Sequence, residues 1–250
     1  MRSAFYLNLS MHLTLDIGNT NVKYHLFDQE ESVLSATVDS IELVASQILE
    51  DFPALTHVIF ADVRGMIKKE KLEAIFPQQQ VREVKELRFP FTSHYATPEI
   101  LGDDRIALVA AATKEYPQQN CLIVDAGSCL TFDFITTEGN YLGGAISPGL
   151  SMRFKSLKHF TGKLPLVNPE EPLSLYGDST ATSINAGVIH GIIHEIEGQI
   201  NAYKTKCPSL TVILTGGDAL LLSKSVKNTI FAHPNFLAVG LNYLLDYNKN

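Results

Sequence analysis

One pattern occurs twice in this chain, and it restricts the fold more than any other feature of the sequence. The stretch 13–27 reads LTLDIGNTNVKYHLF, and the stretch 122–136 reads LIVDAGSCLTFDFIT. Each has an apolar-rich strand, an Asp-x-Gly turn and a second strand, because alternation of apolar and polar residues is the strand period. We therefore predict an α/β chain made of two duplicated halves, each opening with antiparallel strands.

The elements that follow each hairpin support the duplication. A third strand is predicted in each half, followed by alternating helices and strands, and Pro117 ends a helix near the middle of the chain. We place the domain boundary there, with an N-terminal domain over 1–118 and a C-terminal domain over 119–250 that includes a last amphipathic helix. The other expected elements are strands 33–39 and 57–63, a helix capped by Asp39 or Ser40, helices near 98–116, 180–204 and 236–247, and a strand ending at 215–218.

Two features of the second half leave alternatives open. One apolar stripe of the helix near 180–204 has branched residues spaced by four, which fits either a core or a subunit interface. Its members are Ile184, Val188, Ile192, Ile196 and Ile200. The loop 161–178 is the longest irregular stretch and is a candidate lid or interface arm.

Composition and charge exclude several classes of protein. Asp and Glu number 27 against 20 Lys and Arg, a net charge of −7, and an acidic chain is a poor general binder of nucleic acid. No run of 18 apolar residues is present, so we expect no membrane span. Three cysteines without CxxC spacing fit a reducing compartment. Polar residues such as Asn8 and Ser10 interrupt the N-terminal apolar stretch, so we expect no signal peptide and a cytoplasmic location.

Both Asp-x-Gly turns carry groups that suit phosphate binding. In the first, turn N–H groups and the Thr20 hydroxyl can face phosphate oxygens, Lys23 adds positive charge, and Asp16 can hold a metal-bound water. The second turn supplies Asp125 and the Ser128 hydroxyl, with Thr131 and Asp133 on the next strand. Two facing copies could grip a polyphosphate from both sides. The alternative is a pair of plain hairpin turns, since Gly, Asn and Asp are turn formers.

Two further motifs could carry chemistry. Gly102–Arg105 reads GDDR at a predicted helix start, where the helix dipole favours ionised carboxylates. We expect Asp103 to cap this helix and Asp104, with an ordinary low pKa, to accept a proton from a hydroxyl nucleophile. Arg105 can form a bidentate pair with a substrate carboxylate. Residues 215–218 read TGGD at a strand end, where a ring or phosphate could lie against the backbone.

Five motifs together resemble the type III pantothenate kinase family. They occur in the family's order and cover nearly the whole chain from Met11 onward: DIGNTNVK (16–23), GDDR (102–105), DAGSCLTFD (125–133), GGAISPG (143–149) and TGGD (215–218). The family belongs to the superfamily of acetate kinase, hexokinase, Hsp70 and actin. The resemblance thus implies two duplicated ribonuclease H-like domains, the actin-like ATPase fold, with an inter-domain cleft.

The resemblance also implies an activity and a set of site residues. The activity is ATP-dependent phosphorylation of pantothenate, the first step of coenzyme A synthesis, with Mg²⁺ and a monovalent cation (K⁺ or NH₄⁺), by a homodimer. Asp104 would be the general base and Asp125 would hold the monovalent cation. The ATP contacts would be Asp16, Ile17, Gly18, Asn19, Thr20, Asn21, Val22, Lys23, Ser128, Gly216 and Gly217. The pantothenate site would comprise Tyr95, Gly102, Asp103, Asp104, Arg105 and Thr180.

The sequence departs from the family's common pattern in the second turn. The usual Asp-x-Gly-Thr-Ala is replaced here by a turn with Ser128 and Cys129, and Ser keeps the hydroxyl. Two other functions stay open at this point: a kinase for a sugar or short acid on the same scaffold, and a non-catalytic ligand sensor. A carboxylate-bearing substrate is favoured by Arg105.

Overall fold

The structure is a computed structural model that describes residues 10–18, 21–62, 65, 67–170, 174–226 and 231–249. The chain divides into two compact units. Unit 1 runs to Pro117 and also includes the chain from Phe236 onward, whereas unit 2 comprises Gln118–Asn235. Among the described helices, none is long and apolar enough to cross a membrane.

Unit 1 is built on a five-stranded mixed sheet in the order β3-β2-β1-β4-β5. The pairs β1–β2 and β2–β3 are antiparallel, and β1–β4 and β4–β5 are parallel. The strands of this sheet are β1 (Met11–Ile17), β2 (Val22–Asp28), β3 (Glu31–Val38), β4 (Leu55–Asp62) and β5 (Gln80–Glu83), and a short strand β6 (Thr92–Ser93) lies outside it. The helices are α1 (Glu42–Asp51), α2 (Lys69–Ile75), α3 (Asp103–Glu115) and, at the end of the chain, α7 (Phe236–Tyr247).

Unit 2 repeats this topology with strands in the order β11-β10-β7-β8-β9. Again the first three strands in sequence are antiparallel, and the later two join in parallel. The strands are β7 (Asn120–Ala126), β8 (Cys129–Ile135), β9 (Asn140–Pro148), β10 (Leu210–Thr215) and β11 (Phe231–Ala232). The helices are α4 (Leu150–Phe160), α5 (Thr180–Lys206) and α6 (Ala219–Ser223).

The two sheets match element by element, which confirms the predicted duplication. Strands β1, β2 and β3 correspond to β7, β8 and β9, and β4 and β5 correspond to β10 and β11. The register also matches: Asp16 lies opposite Lys23 across β1–β2, and Asp125 lies opposite Thr131 across β7–β8. The Asp-x-Gly turns therefore occupy equivalent positions in the two sheets.

The pleat of β1 separates apolar from polar side chains. Met11, Leu13, Leu15 and Ile17 are fully buried in the core of unit 1, together with residues of α1 and α2. Because successive side chains of a strand point to opposite faces, the residues between them, including Asp16, lie on the other face of the sheet. The carboxylate is thereby kept out of the apolar core.

The apolar stripe of α5 belongs to the core of unit 2. All five of its branched residues are buried in one cluster with side chains from β7, β8 and β10. Of the two alternatives for this stripe, the structure therefore supports the core. The helix begins with a capping box, in which Ser179 and Thr182 exchange side-chain and backbone hydrogen bonds.

The C-terminal helix α7 groups with unit 1, which differs from the expected division at residue 118. It packs along α3, and a Cβ placed on Gly240 would overlap the carbonyl oxygen of Ala107. It also reaches β1, where Asn242 Oδ1 lies 2.6 Å from Nδ1 of the buried His12. The sequence shows the helix but not the sheet on which it packs, because that contact joins the two ends of the chain.

His12 is held as a neutral ring by its surroundings. Asn242 Nδ2 donates to the Gln29 carbonyl at 2.6 Å, which leaves Oδ1 to accept from His12 Nδ1–H. Burial is the main cause that lowers the pKa of His12. The neighbouring His57, whose ring centroid is 5.4 Å away, has its pKa lowered to about 4, mainly by burial. This polar cluster therefore adds no charge to the interior at neutral pH.

Two predicted helix caps are wrong. The first residue before α1 is Ile41, not Asp39 or Ser40, and it makes no side-chain cap hydrogen bond. Helix α3 follows Gly102, also without a side-chain cap, so Asp103 stands at its first helical position instead of capping it. Both aspartates of the GDDR motif are consequently left available for other contacts.

Replacing Gly240 with Ala tests the close approach of α3 and α7. We expect a loss of about 1–3 kcal/mol in the free energy of unfolding, because the added methyl group meets backbone that cannot move aside cheaply. Urea denaturation monitored by circular dichroism measures the change.

Gly198→Ala is the matched control, because Gly198 is an exposed residue of α5 whose Cβ would meet no atom within 4 Å. Ala is the better helix former, so this variant should gain about 0.5–1 kcal/mol. Equal effects of the two substitutions would contradict the packing described for Gly240.

Candidate active site

The residues on either side of the first Asp-x-Gly turn have their side chains in the core. Ile17 and Val22 are buried with their side chains in the core of unit 1, so only their backbone groups are available to a ligand. The turn is closed by a hydrogen bond from Gly18 N–H to the Asn21 carbonyl at 3.1 Å. Asn19 and Thr20, which were also predicted to contact ATP, lie outside the described residues.

Asp16 stands at the end of β1 beside this turn. Burial raises the pKa of Asp16, Lys23 on the neighbouring strand lowers it, and the charge of Asp104 raises it again. The charge of Asp104 is therefore one of the influences that raise the pKa of Asp16. Residues from the first and the GDDR motifs, 88 positions apart in sequence, meet in one region of unit 1.

Neighbouring residues at the start of α3 fix the position of the Asp104 carboxylate. A Cβ on Gly102 would overlap Asp104 Oδ1, so a larger residue at this position would displace the carboxylate. The same oxygen accepts a hydrogen bond from the backbone N–H of Arg105 at 2.8 Å. A short local contact thus fixes the side chain at the first turn of the helix.

The expectation of an ordinary low pKa for Asp104 is wrong in direction. Burial, the largest cause, raises the pKa of Asp104 above its usual value. The hydrogen bond from the Arg105 backbone and the Arg105 charge act against this shift without reversing it. A carboxylate with a raised pKa is a stronger base than an exposed aspartate, which suits proton abstraction.

Arg105 and Tyr95, both predicted to bind substrate, are in contact. The Arg105 guanidinium carbon lies 5.3 Å from the centroid of the Tyr95 ring, and its Nη1 donates to the Tyr95 hydroxyl at 3.4 Å. Arg105 is 5% exposed, so its side chain is held in place by packing as well as by these contacts. A guanidinium fixed in this way can recognise a carboxylate with defined geometry.

Asp103 is held by two residues that the sequence analysis missed. Lys85 Nζ lies 3.9 Å from Asp103 Oδ1, and the backbone N–H of Asp62 donates to the same carboxylate. Burial nevertheless raises the pKa of Asp103. No local sequence signal could have found Lys85, because it follows β5 and reaches α3 only through the fold.

In unit 2 the Asp125 carboxylate is enclosed by glycines. A Cβ on Gly127 would lie 3.4 Å from Asp125 Oδ1, and a Cβ on Gly216 would overlap that oxygen and the Ala126 backbone. Gly216 also has φ +97°, a conformation that side chains disfavour. Glycine is therefore required at position 216 for steric reasons. The turn after β10 brings two predicted site residues, Asp125 and Gly216, together.

The second turn is shaped by backbone contacts that leave Ser128 exposed. Gly149, the residue before α4, lies so close to the turn that a Cβ would overlap the carbonyl oxygens of Gly127 and Ser128. Gly217 is exposed in the next turn, and Asp218 N–H donates to the Ala126 carbonyl at 2.9 Å. Ser128 and Gly217, both predicted to contact ATP, are therefore accessible to a ligand.

Two threonines flank Asp125 on the neighbouring strands. Thr131 of β8 and Thr215 of β10 lie opposite it in register, and they are 7% and 3% exposed. The Thr131 hydroxyl is buried without a hydrogen-bond partner among the residues that the structure describes. The sequence analysis noted Thr131 but gave it no role.

Thr180, the remaining predicted substrate residue, is exposed at the first position of α5. It belongs to unit 2, whereas Tyr95 and Gly102–Arg105 belong to unit 1. It lines a cavity of about 990 Å³ together with Arg153, Ser156 and Asp178. This cavity is large enough for a small organic molecule.

Metal-ligand clusters of the usual kind are missing from the part of the chain that the structure describes: it holds no group of three or more His, Cys, Asp or Glu residues that could bind an ion. A cation here would have to be held by few protein carboxylates. Magnesium bound in part through substrate phosphates has this requirement, since it often uses only one or two carboxylates.

Solved structures place the fold in a known class. The chain superposes on a Campylobacter jejuni protein described as a Baf family transcriptional activator, with a TM-score of 0.63, 23% identity, and 94% of this chain and 98% of that chain covered. It also superposes on an inorganic polyphosphate/ATP-glucomannokinase of Arthrobacter sp. strain KM, with a TM-score of 0.53, 12% identity, and coverage of 95% and 98%. Together with the duplicated sheets, these likenesses define a two-domain ribonuclease H-like, actin-like fold, as predicted.

Sequence comparison then identifies the family within this class. The family model for type III pantothenate kinase matches residues 12–202. A type III pantothenate kinase of Flavobacterium johnsoniae is 44% identical over 241 residues, with 95% of this chain and 98% of the relative covered. The chain belongs to the type III pantothenate kinase family, a family of phosphotransferases.

The contact of Arg105 with Asp104 leads to a prediction that does not depend on turnover. In Arg105→Gln the pKa of Asp104 should rise further, because the charge that opposes burial is removed. Carboxyl-carbon NMR of protein labelled at aspartate measures the titration of Asp104 in both proteins.

Lys85→Gln is the matched control, since the charge of Lys85 lowers the pKa of Asp103 and is not among the influences on Asp104. It should raise the pKa of Asp103 and leave that of Asp104 unchanged. The electrostatic account is overturned if Arg105→Gln leaves the Asp104 titration where it was.

Proposed function

We propose that this protein transfers the γ-phosphoryl group of ATP to the hydroxyl of pantothenate, forming 4′-phosphopantothenate, the first step of coenzyme A synthesis. The observation that carries the proposal is the partly buried carboxylate of Asp104, which accepts a hydrogen bond from the Arg105 N–H and whose charge raises the pKa of Asp16 beside the first phosphate turn. A base, a carboxylate-binding cation and a phosphate-binding turn are the groups that this reaction requires. Membership of the family supports the choice of substrate.

The two turns are assigned to ATP. In unit 1, the backbone of 16–23 and the exposed Lys23 ammonium contact phosphate oxygens. In unit 2, the exposed Ser128 hydroxyl and the Gly216–Gly217 turn contact the nucleotide. These roles are supported by the exposure of Lys23, Ser128 and Gly217 and by the match of both turns to the family's motifs.

Arg105 and Tyr95 are assigned to the carboxylate end of pantothenate. The guanidinium presents several N–H donors in a planar fork, the geometry that forms bidentate pairs with carboxylates, and its contact with Tyr95 holds that fork in place. Asp103 and Lys85 form a neighbouring charged pair, and we assign Asp103 to the polar groups of the substrate. A sugar lacks the carboxylate, which is why Arg105 favours pantothenate over a sugar on this scaffold.

Asp104 is assigned as the general base. Phosphoryl transfer passes through a loose transition state, so the residue mainly orients the attacking hydroxyl and accepts its proton late in the reaction. Its raised pKa improves the acceptance of that proton, while the Arg105 N–H and charge favour the ionised form of the carboxylate.

The residues also fit the cations that the family resemblance implies. Asp125 offers carboxylate oxygen, the ligand that hard cations prefer, and glycines at 127 and 216 leave the space beside that oxygen free of side chains. Asp125 would hold a monovalent cation, K⁺ or NH₄⁺, and Asp16 would hold a water of Mg²⁺. When bound, these cations would offset the negative charge of the phosphates.

The proposal includes a homodimer. Unit 2 exposes large apolar side chains at the end of α4 and before α5, Phe160, Leu175 and Tyr176, which are 82%, 70% and 80% exposed. Exposed apolar surface is typical of an interaction site. Thr180 is assigned to the pantothenate site by the family's pattern, and the cavity that it lines is large enough for such a molecule.

Asp104→Asn tests the proposal directly. With ATP, Mg²⁺, potassium chloride and pantothenate, the unaltered protein should consume ATP in a pantothenate-dependent way, and less so when sodium replaces potassium. The variant should lose at least about 10²-fold in turnover, because general-base catalysis contributes roughly 10²–10⁴-fold.

Asp51→Asn makes the same chemical change at an exposed position at the end of α1 and should keep normal turnover. Circular dichroism and a thermal melt of each variant show that the fold is kept. Near-normal turnover of Asp104→Asn, or the absence of pantothenate-dependent turnover in the unaltered protein, would contradict the assignment.

The pH dependence of kcat gives a second test. The base works only when it is ionised, so activity should fall as the pH drops through the pKa of Asp104. Because burial raises that pKa, the fall should begin above the value of about 3.9 that is usual for aspartate. An acid limb at or below that value, measured with saturating substrates, would argue against Asp104 as the base.

A further inference from the structure

Asp125 has a hydroxyl neighbour whose position the fold fixes. Thr131 lies directly opposite it across the antiparallel pair β7–β8, and directly opposed residues share one face of the sheet. Side chains of such a pair have Cβ atoms roughly 4.5–5.5 Å apart. The next residues along β8 on either side, Leu130 and Phe132, point into the core of unit 2, so Thr131 faces away from it.

The Thr131 hydroxyl is buried and makes no hydrogen bond to the residues that the structure describes. Thr131 is 7% exposed, and its Oγ1 has no hydrogen-bond partner among the described residues. Buried polar atoms are nearly always paired, and leaving one unpaired destabilises the fold. A valine at this position would fill almost the same volume without that penalty. The hydroxyl therefore points to a ligand that is bound during function.

We propose that Thr131 Oγ1 is a second protein ligand, beside the Asp125 carboxylate, of the monovalent cation. This inference rests on the proposed function, which assigns that cation to Asp125. A hydroxyl oxygen offers lone pairs and no charge, and neutral oxygens commonly complete the shell of hard cations around a single carboxylate. The spacing of a cross-strand pair lets two side-chain oxygens reach one ion.

The equivalent position in unit 1 supports the assignment. Lys23 there stands opposite Asp16 as Thr131 stands opposite Asp125. A lysine ammonium supplies its own positive charge and would repel a bound cation, whereas a threonine hydroxyl can bind one. The positive charge beside the turn therefore comes from the Lys23 side chain in unit 1 and from the bound cation in unit 2.

The experiment measures cation binding by thermal stability, independently of turnover. The full-length protein is melted with a non-hydrolysable ATP analogue and Mg²⁺ while potassium chloride replaces choline chloride at constant ionic strength. A ligand that binds the folded protein raises its melting temperature in a concentration-dependent way. The variants are Thr131→Val, Thr131→Ser and Asp125→Asn.

Thr14→Val is the matched control. Thr14 is a buried threonine of β1 whose Oγ1 donates to the His25 carbonyl at 3.4 Å, and it has no assigned role in the site. It should respond to potassium like the unaltered protein.

We expect Thr131→Val to need at least 10-fold more potassium for half of its stabilisation, and Thr131→Ser to stay within about 3-fold of the unaltered protein. Without potassium, Thr131→Val should melt at the same or a higher temperature, because it removes an unpaired buried hydroxyl. Asp125→Asn should lose the potassium response.

Two results would overturn the inference. If Thr131→Val keeps the potassium response of the unaltered protein, Thr131 is not a ligand, while the cation at Asp125 still stands. If the unaltered protein and Thr14→Val show no potassium response, the cation assignment and the role of Thr131 both fail, and pantothenate-dependent turnover decides the rest of the proposed function separately.

Discussion

The alternation of side chains along two equivalent strands, β1 and β7, builds the core of each half and also positions the aspartate of each Asp-x-Gly turn. Along β1, Leu13, Leu15 and Ile17 enter the core, and the period of two then sends Asp16 to the opposite face. A slip of one residue would place the carboxylate in the apolar core and remove the apolar residues from it, so core packing itself specifies where the carboxylate stands. The same constraint in β7 keeps Asp125 out of the second core. Packing and function here are not separate requirements on the strand.

Carboxylates that lie beside an apolar core have to be stabilised in a way that keeps them available for binding and proton transfer. Burial raises the pKa of three aspartates in unit 1, and each is accompanied by one basic residue that opposes the shift. The pairs are Asp16 with Lys23, Asp103 with Lys85, and Asp104 with Arg105. Because the partners come from different elements, each carboxylate has an opposing charge of its own. The charge of Asp104 in addition raises the pKa of both Asp16 and Asp103, so the three carboxylates also influence one another.

Much of this arrangement could be predicted from the sequence, because it depends on the spacing of apolar residues within short segments. The two hairpins, their Asp-x-Gly turns and the limits of α7 follow from alternation and helical spacing, and the structure agrees. The direction of the Asp104 pKa shift could not be predicted, since burial is a sum over chain segments distant in sequence. The same holds for the contact of Lys85 with Asp103 and for the packing of α7 on unit 1. The helix dipole is the one effect on Asp104 that the local sequence shows, and it would lower the pKa instead of raising it.

The departure of the second turn from its family's pattern falls where the side chain matters least. Gly127 N–H donates to the Cys129 carbonyl at 3.0 Å, which closes the turn through the backbone alone. Gly149 fixes the other side of the turn against the carbonyl oxygens of Gly127 and Ser128. Since neither contact involves the Cys129 side chain, Cys in place of Ala leaves the course of the turn unchanged. Ser in place of Thr keeps an exposed hydroxyl and removes only a methyl group, so the group that can bind phosphate is retained.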